Sequence, residues 1–92
     1  MIKSFKHKGL QLFYETGVAK GIQANHVKRL KMQLTALDTA FEISDMNIPG
    51  YQLHALKGGR KGMWAISVSG NWRLTFEFND SNVYILNYED YH

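Results

Sequence analysis

The residues able to move protons or hold anions gather in the second half of this chain. His54, Lys57, Arg60, Arg73, Asp90, Tyr91 and His92 lie there among strand-like segments, and the sequence closes on Asn87-Tyr88-Glu89-Asp90-Tyr91-His92. Terminal residues are ordinarily polar and loosely held, whereas these include two tyrosines, two acids and a histidine directly after a strand pattern. Histidine takes and gives protons near neutral pH, arginine and lysine hold phosphate oxygens, and aromatic rings stack on nucleotide bases. The set suits proton transfer beside an anion. Its plain structural alternative is an aromatic edge strand whose last side chains are polar.

Those residues need a scaffold, and the size of the chain limits it. A single domain spanning residues 1–92 is expected, burying roughly 60–65% of the surface its unfolded form would expose. With 45% hydrophobic and 13% aromatic residues, the composition supports a compact core and excludes a disordered chain. The absence of cysteine excludes a disulfide scaffold and cysteine-ligated zinc, and it fits a reducing cytoplasm. Met1-Ile2-Lys3-Ser4-Phe5-Lys6 lacks the apolar core of a signal peptide. No apolar run approaches the roughly 20 residues that cross a bilayer, so no membrane partner is expected. A net charge of +3 favours a polyanionic partner, nucleic acid above all.

The helical half comes first. Ile2–Lys6 reads as a short strand. Leu10, Phe13 and Tyr14 then fall at helical spacing within Lys8–Thr16, and Gly17 stops the pattern. After a glycine-containing linker, Val27, Leu30, Leu34, Leu37 and Phe41 repeat at three-four spacing, with Asn25 placed to cap the first turn. Lys28, Arg29 and Lys31 fall largely outside that stripe, as a solvated face or as contacts to a nucleic-acid backbone, and His7 and His26 read as plain surface residues. An amphipathic helix with one apolar stripe must lie on something flat, and the sheet that follows is the obvious surface.

Ile48-Pro49-Gly50 marks a turn, proline at its second position and glycine at its third. Tyr51–Leu56 alternates as a strand, setting His54 on the face opposite Tyr51 and Leu53. The loop Lys57-Gly58-Gly59-Arg60-Lys61-Gly62 concentrates cations. It lacks the spacing and terminal Lys-Ser or Lys-Thr of a nucleotide P-loop, which excludes ATP binding of that kind. Trp64, Ile66 and Val68 alternate, as do Trp72, Leu74, Phe76 and Phe78. A plain two-residue connection would set Ile66 beside Arg73 and carry cations into the core, where an unpaired guanidinium costs roughly several kcal/mol. A three-residue loop closed by Gly70, pairing Ser67 with Asn71 and Ala65 with Arg73, is therefore expected. Asn71, Arg73, Thr75 and Glu77 then project away from the core. With Asp80-Ser81 as the second hairpin tip, Val83 and Ile85 oppose Phe78 and Phe76, and Tyr84, Leu86, Tyr88 and Asp90 join Arg73 on the open face.

Four groups of residues resemble one family in order and spacing. They are His54-x-Leu56-Lys57-Gly58, Gly62-x-Trp64-x-Ile66-x-Val68, Asn71-Trp72-Arg73-Leu74-x-Phe76 and the closing Asp90-Tyr91-His92. Together they are similar to HigB-type toxins of the RelE/ParE superfamily, in the plasmid-maintenance killer branch, and the similarity runs over essentially the whole chain. The resemblance implies a small α+β fold, with an N-terminal strand and two helices packed on one face of a mostly antiparallel sheet. It also implies a ribosome-dependent endoribonuclease that cuts mRNA in the ribosomal A site without metal or other cofactor. Its partners would be the ribosome and a HigA-type helix-turn-helix antitoxin, in the bacterial cytoplasm.

RNA carries its own nucleophile, the 2′-hydroxyl beside each phosphate. An enzyme must take the proton of that hydroxyl, stabilise the crowded phosphorane and protonate the departing 5′-oxygen. On the family match, His92 is the principal proton carrier, His54 its complement or an orienting group, and Asp90 an acceptor fixing a histidine tautomer. Lys57 and Arg73 are phosphate clamps, with Arg60 a further cation of the RNA surface. Tyr91 stacks on or orients a splayed nucleotide, and Asn71 contacts backbone or base. The placement of Arg73 and Asp90 rests also on strand parity. A zinc site from His54, Asp90 and His92 is the weaker alternative, because the ligands are loosely spaced. Two rival functions remain open: a gyrase poison resembling ParE, which would not need this residue set, and a basic module that binds RNA or the ribosome without cutting.

Overall fold

Among the described residues, 1–90 of the 92 in this computed structural model, helices precede strands. The order is α1 (Lys8–Thr16), α2 (Val27–Thr39), β1 (His54–Ala55), β2 (Met63–Ser69), β3 (Trp72–Asn79) and β4 (Asn82–Asp90). The strands form one antiparallel sheet in the order β1-β2-β3-β4. The N-terminal segment expected as a strand lies parallel to β4 on its outer side, bridging Ile2 to Val83 and Phe5 to Leu86. Leu10 and Phe13 of α1 and Leu30, Leu34 and Leu37 of α2 bury against Ile66, Leu74, Phe76, Val83 and Leu86 on one sheet face. Full burial of each such side chain contributes about 1.5–3 kcal/mol, so both helices are held to that face.

Local sequence explains the helix limits. The α1 helix stops at Gly17, whose φ of 81° supplies the left-handed cap while its N–H donates to the Phe13 carbonyl. The linker then crosses α1 closely: a Cβ on Gly9 would stand 3.1 Å from the Gly21 Cα. Asn25 does not cap α2. It lies inside a 3-10 turn, Ala24–His26, that delivers the chain to the helix one residue later, with no side-chain cap bond. Phe41 is not on the α2 stripe either and is 75% exposed. The helix ends at Thr39, and the Asp45 carboxylate accepts from the N–H groups of Phe41 and Glu42 at 2.9 and 3.0 Å, drawing the chain into the next turn.

The cationic face of α2 is only partly solvated. Arg29 turns inward, donating to the Gly50 carbonyl at 2.8 Å and lying over the Tyr51 ring at 5.2 Å. The turn it holds is the expected one: Gly50 has φ 90°, and the Tyr51 N–H closes onto the Ile48 carbonyl at 2.9 Å. The strand expected over Tyr51–Leu56 is shortened to His54–Ala55, because Gln52 takes a φ of 51° and breaks the extended run.

Two bulges set the sheet faces. Between β2 and β3, Ser67 pairs with Arg73 and Ser69 with Trp72 across a Gly70-Asn71 turn. The three-residue loop expected at Gly70 is thus absent. An extra residue at Val68 restores the parity that the loop was invoked to provide, and the Ser67 carbonyl is held by Gln33 at 2.7 Å and Arg29 at 3.3 Å. The second hairpin has its tip at Asp80-Ser81, as expected, both with positive φ. Beyond it, a second shift between Thr75 and Glu77 moves the register. Ile85, at φ 47°, is the residue turned out, and its N–H donates to the Ser4 hydroxyl at 2.8 Å.

This second bulge overturns the expected faces of β4. Leu86 and Tyr88 enter the core, and Asn87 and Glu89 take the open face opposite Thr75 and Arg73. Asp90 pairs with Trp72 instead of joining Arg73. Tyr88 stacks on Trp72 at 4.6 Å and its hydroxyl lies 2.6 Å from His26 Nδ1. His26 is accordingly 3% exposed, no surface residue. His7 is not one either: its Nδ1 accepts from the Leu10 N–H at 2.9 Å and caps α1.

That cap requires an unprotonated Nδ1, and desolvation by burial lowers the His7 pKa below its ordinary 6.5. The unfolded chain therefore takes up the proton first as pH falls. The cap's contribution is full above pH 6.5 and declines as pH drops below that value and through the lower folded pKa. His7→Ala is expected to cost about 1 kcal/mol at pH 7.5, the usual magnitude for loss of an N-cap. It should also show a smaller loss of stability than the parent between pH 7.5 and 5, checked by urea unfolding at both values.

Candidate active site

The face of the sheet turned away from the helices carries the polar side chains. Directly opposed residues of neighbouring strands share a face, so the row His54, Ala65, Thr75, Asn87 crosses all the strands on that side. The next row holds Ser67, Arg73 and Glu89. Strand spacing and rise put the His54 and Arg73 backbones about 12 Å apart on this face.

His54 sits on the short edge strand β1, exposed, with Nδ1 2.9 Å from the Gln52 carbonyl. A carbonyl only accepts, so Nδ1 must carry hydrogen whether the ring is neutral or cationic. The atom that gains or loses a proton is therefore Nε2. The positive φ of Gln52 turns its carbonyl back to meet the ring two residues on. The same backbone irregularity that shortens the strand thus orients the imidazole.

Arg73 is half-buried. Its Nη1 donates to the Gly70 carbonyl at 2.6 Å, the Trp72 carbonyl at 3.1 Å and the Ser67 hydroxyl at 3.4 Å. Among the described residues its hydrogen bonds all run from Nη1, so Nε and Nη2 can meet an anion from the open side. Asn71 occupies the exposed adjoining turn, at the sheet end where β4 finishes with Asp90. Lys57 is exposed at the start of the loop that joins β1 to β2, and this loop folds back over the sheet through Arg60. Tyr91 and His92 lie outside the described residues.

At the centre of this face is a carboxylate that the sequence does not single out. Glu89 accepts from both terminal nitrogens of Arg60, at 3.1 and 2.8 Å, from the Thr75 hydroxyl at 2.6 Å and from the Asn87 amide at 3.1 Å. The hydrogen bonds from Arg60, reinforced by those from Thr75 and Asn87 and by the guanidinium charge, outweigh partial desolvation and hold the Glu89 carboxyl down to about 2. In the folded protein Glu89 therefore stays ionised until the pH falls to about 2. Thr75 is fully buried despite facing away from the helices, because Arg60 and Glu89 close over its hydroxyl. The sequence signal was an acid directly opposite an arginine across two strands, and it was hidden by the bulge that brings Glu89 to this side.

The open face brings together His54, Arg60 and Arg73 of the expected set. It adds Thr75, Asn87 and Glu89, and it leaves Asp90 at the strand end beside Trp72. A cavity of about 320 Å³ lined by Phe13, Tyr14, Leu34 and Asp38 lies between the helices, on the other side of the sheet.

Comparison with known proteins places this arrangement. The chain is 56% identical over 92 residues, covering both sequences completely, to a protein of Proteus vulgaris named Endoribonuclease HigB. It is 34% identical over 82 residues, 87% of this chain and 86% of the other, to Toxin HigB-1 of Vibrio cholerae. In fold it matches a chain of the YoeB-YefM complex from Staphylococcus aureus with a TM-score of 0.65 at 16% identity, covering 100% of this chain and 95% of that one. It matches YafQ from Escherichia coli with a TM-score of 0.53 at 19% identity, covering 92% and 86%. A family model described as the RelE-like toxin of the type II toxin–antitoxin system HigB matches residues 3–92. The α+β sheet with its two helices on one face is thus the RelE-like fold, and the chain belongs to the HigB-like family, toxins of type II toxin–antitoxin systems whose partner is an antitoxin.

Proposed function

We propose that this toxin is a ribosome-dependent endoribonuclease that cleaves mRNA in the ribosomal A site and so arrests translation. The observation that carries the reading is the open face, which holds both an imidazole oriented through Nδ1 and a half-buried guanidinium. Identity of 56% over the full length to a protein named as an endoribonuclease supports it. The reaction uses the substrate's own 2′-hydroxyl. A histidine accepts the hydroxyl proton, the 2′-oxygen bonds to phosphorus, the bond from phosphorus to the 5′-oxygen breaks, and that oxygen takes up a proton. The products are a 2′,3′-cyclic phosphate and a 5′-hydroxyl, and the step calls for no cofactor.

His92 is the principal proton carrier in this scheme. His54, acting through Nε2, is its complement. Asp90 is an acceptor that fixes the tautomer of a histidine. Arg73 and Lys57 hold the non-bridging oxygens, the planar fork of Arg73 being able to grip two at once. Arg60, whose fork is turned to Glu89, adds charge to the RNA surface without a bidentate grip of its own. Tyr91 stacks on a splayed nucleotide, and Asn71, on the adjoining turn, contacts backbone or base. The ribosome presents the message, a HigA-type helix-turn-helix antitoxin silences the toxin, and the site of action is the cytoplasm.

His92→Gln is expected to abolish cleavage on programmed ribosomes while leaving ribosome binding intact, measured by mapping messenger 5′-ends and by co-sedimentation. Undiminished growth arrest by that variant would point instead to gyrase or to simple occlusion. Free RNA should be cut negligibly under conditions where ribosome-bound message is cut rapidly, and equal rates would overturn ribosome dependence. His54→Ala and Arg73→Ala should each lower the single-turnover rate by about 10²-fold or more. His54→Ala should in addition remove one limb of the pH–rate profile, which Arg73→Ala should leave in place.

A further inference from the structure

Glu89 is an unexpected residue on a face that would receive RNA, because a bare carboxylate there repels phosphate. Its surroundings supply a reason. The carboxylate joins separate parts of the site: the loop 57–62 through Arg60, β3 through Thr75, and its own strand through Asn87. Arg60 Nη2 also donates to the Thr75 hydroxyl at 3.2 Å, so the guanidinium, hydroxyl and carboxylate close a ring of hydrogen bonds. The tethered loop is intrinsically loose. It holds Gly58, Gly59 and Gly62, two of them at positive φ (67° and 91°), and its backbone closures onto Lys57 and Gly58 are long, at 3.4 and 3.2 Å.

We propose that Glu89 is a positioning residue whose grip on Arg60, braced by Thr75 and Asn87, pins the glycine-rich cationic loop over the catalytic face and so sets Lys57 against the scissile phosphate. The inference rests on the nuclease reading above. Misplacement of a charge-stabilising group by about 1 Å can cost on the order of 10²-fold in rate, and a loop of this composition drifts further than that without a tether. The opposing expectation is simple electrostatics: if Glu89 were an incidental acid, neutralising it would strengthen RNA contact and leave the rate unchanged or raised.

The two expectations differ in sign. Single-turnover cleavage of ribosome-bound mRNA is measured at saturating toxin for the full chain and for Glu89→Gln, Glu89→Asp, Arg60→Met and the Arg60→Met/Glu89→Gln pair. Glu89→Gln and Arg60→Met should each reduce the saturating rate by about 10–100-fold, while the toxin concentration giving half-maximal rate moves by less than about 3-fold. The pair should be no slower than the slower single variant, since both break one tether. Glu89→Asp, which keeps the charge, should recover part of the loss. Hydrogen exchange of the amides of residues 58–62 in the free protein should be faster in Glu89→Gln than in the parent. Wild-type or higher rates for Glu89→Gln, losses that multiply in the pair, Glu89→Asp no better than Glu89→Gln, or unchanged loop exchange would each overturn the proposal. Failure of the nuclease reading itself would show separately, as absence of cleavage by the parent chain, and the exchange measurement would still decide whether the tether exists.

Discussion

One extra residue in β4 decides what the open face can be. Without the bulge, strict alternation from Val83 would point Ile85 and Asn87 to the core and Leu86 and Tyr88 to solvent. Such an arrangement exposes two large apolar side chains and buries an amide. The left-handed turn at Ile85 corrects the parity. A β-branched residue in that region is strained, by an amount of order 1–3 kcal/mol, and the compensation is visible on both sides of it. Leu86 and Tyr88 become fully or nearly buried. On the other side, N–H groups turned out of the β3 ladder find the N-terminal segment: Ile85 donates to the Ser4 hydroxyl and Leu86 to the Ser4 carbonyl at 3.1 Å. The first residues of the chain therefore stabilise the geometry of the last strand.

The polar cluster on the open face follows from that choice. Once Glu89 stands opposite Arg73 it needs partners, and Arg60, Thr75 and Asn87 supply them. Ion pairs with this degree of exposure contribute only about 0–1 kcal/mol to stability. The bidentate geometry fixes orientation more than it stabilises the fold, which is what a glycine-rich loop lacks. On the opposite side, the buried polar groups His26, Gln33 and Tyr88 fix how the helices sit. Gln33, together with Arg29, reaches the Ser67 carbonyl beside the β2 bulge, so each irregularity in the sheet is answered by specific side chains.

The parts legible in the sequence were those governed by local chemistry. Gly17 at the end of α1, Pro49-Gly50 at the turn and Asp80-Ser81 at the hairpin tip all act through their own backbone preferences, and each stands where its residue type demands. The positions of His54 and Arg73 on one face were legible too, although the loop invoked to place Arg73 was wrong. Parity was the robust part of that argument, because it follows from the cost of burying a guanidinium, and a bulge at Val68 satisfies it as well as a longer loop does. The bulge at Ile85 was not legible, since nothing in Tyr84-Ile85-Leu86 signals a left-handed residue. With it went the face of Glu89 and the burial of Tyr88. Reading His26 as a surface residue failed for the same reason: its partner is Tyr88, which strict alternation had placed on the other side of the sheet.

The distribution of charge bears on why the proposed nuclease would need the ribosome. Against 11 lysines and arginines stand 8 acids, and the arginines are engaged within the fold. Arg29 braces the Pro49-Gly50 turn, Arg60 is held by Glu89, and Nη1 of Arg73 is tied to its own hairpin. Among the described residues, the cationic groups that the open face turns toward RNA include one edge of Arg73 and the exposed Lys57. Affinity for a polyanion grows with the number of phosphates neutralised, so so few contacts cannot retain a free strand for long. They can stabilise charge on one phosphate delivered in the right conformation. A face built with preorganised chemistry and little grip fits an enzyme whose substrate is positioned by something larger.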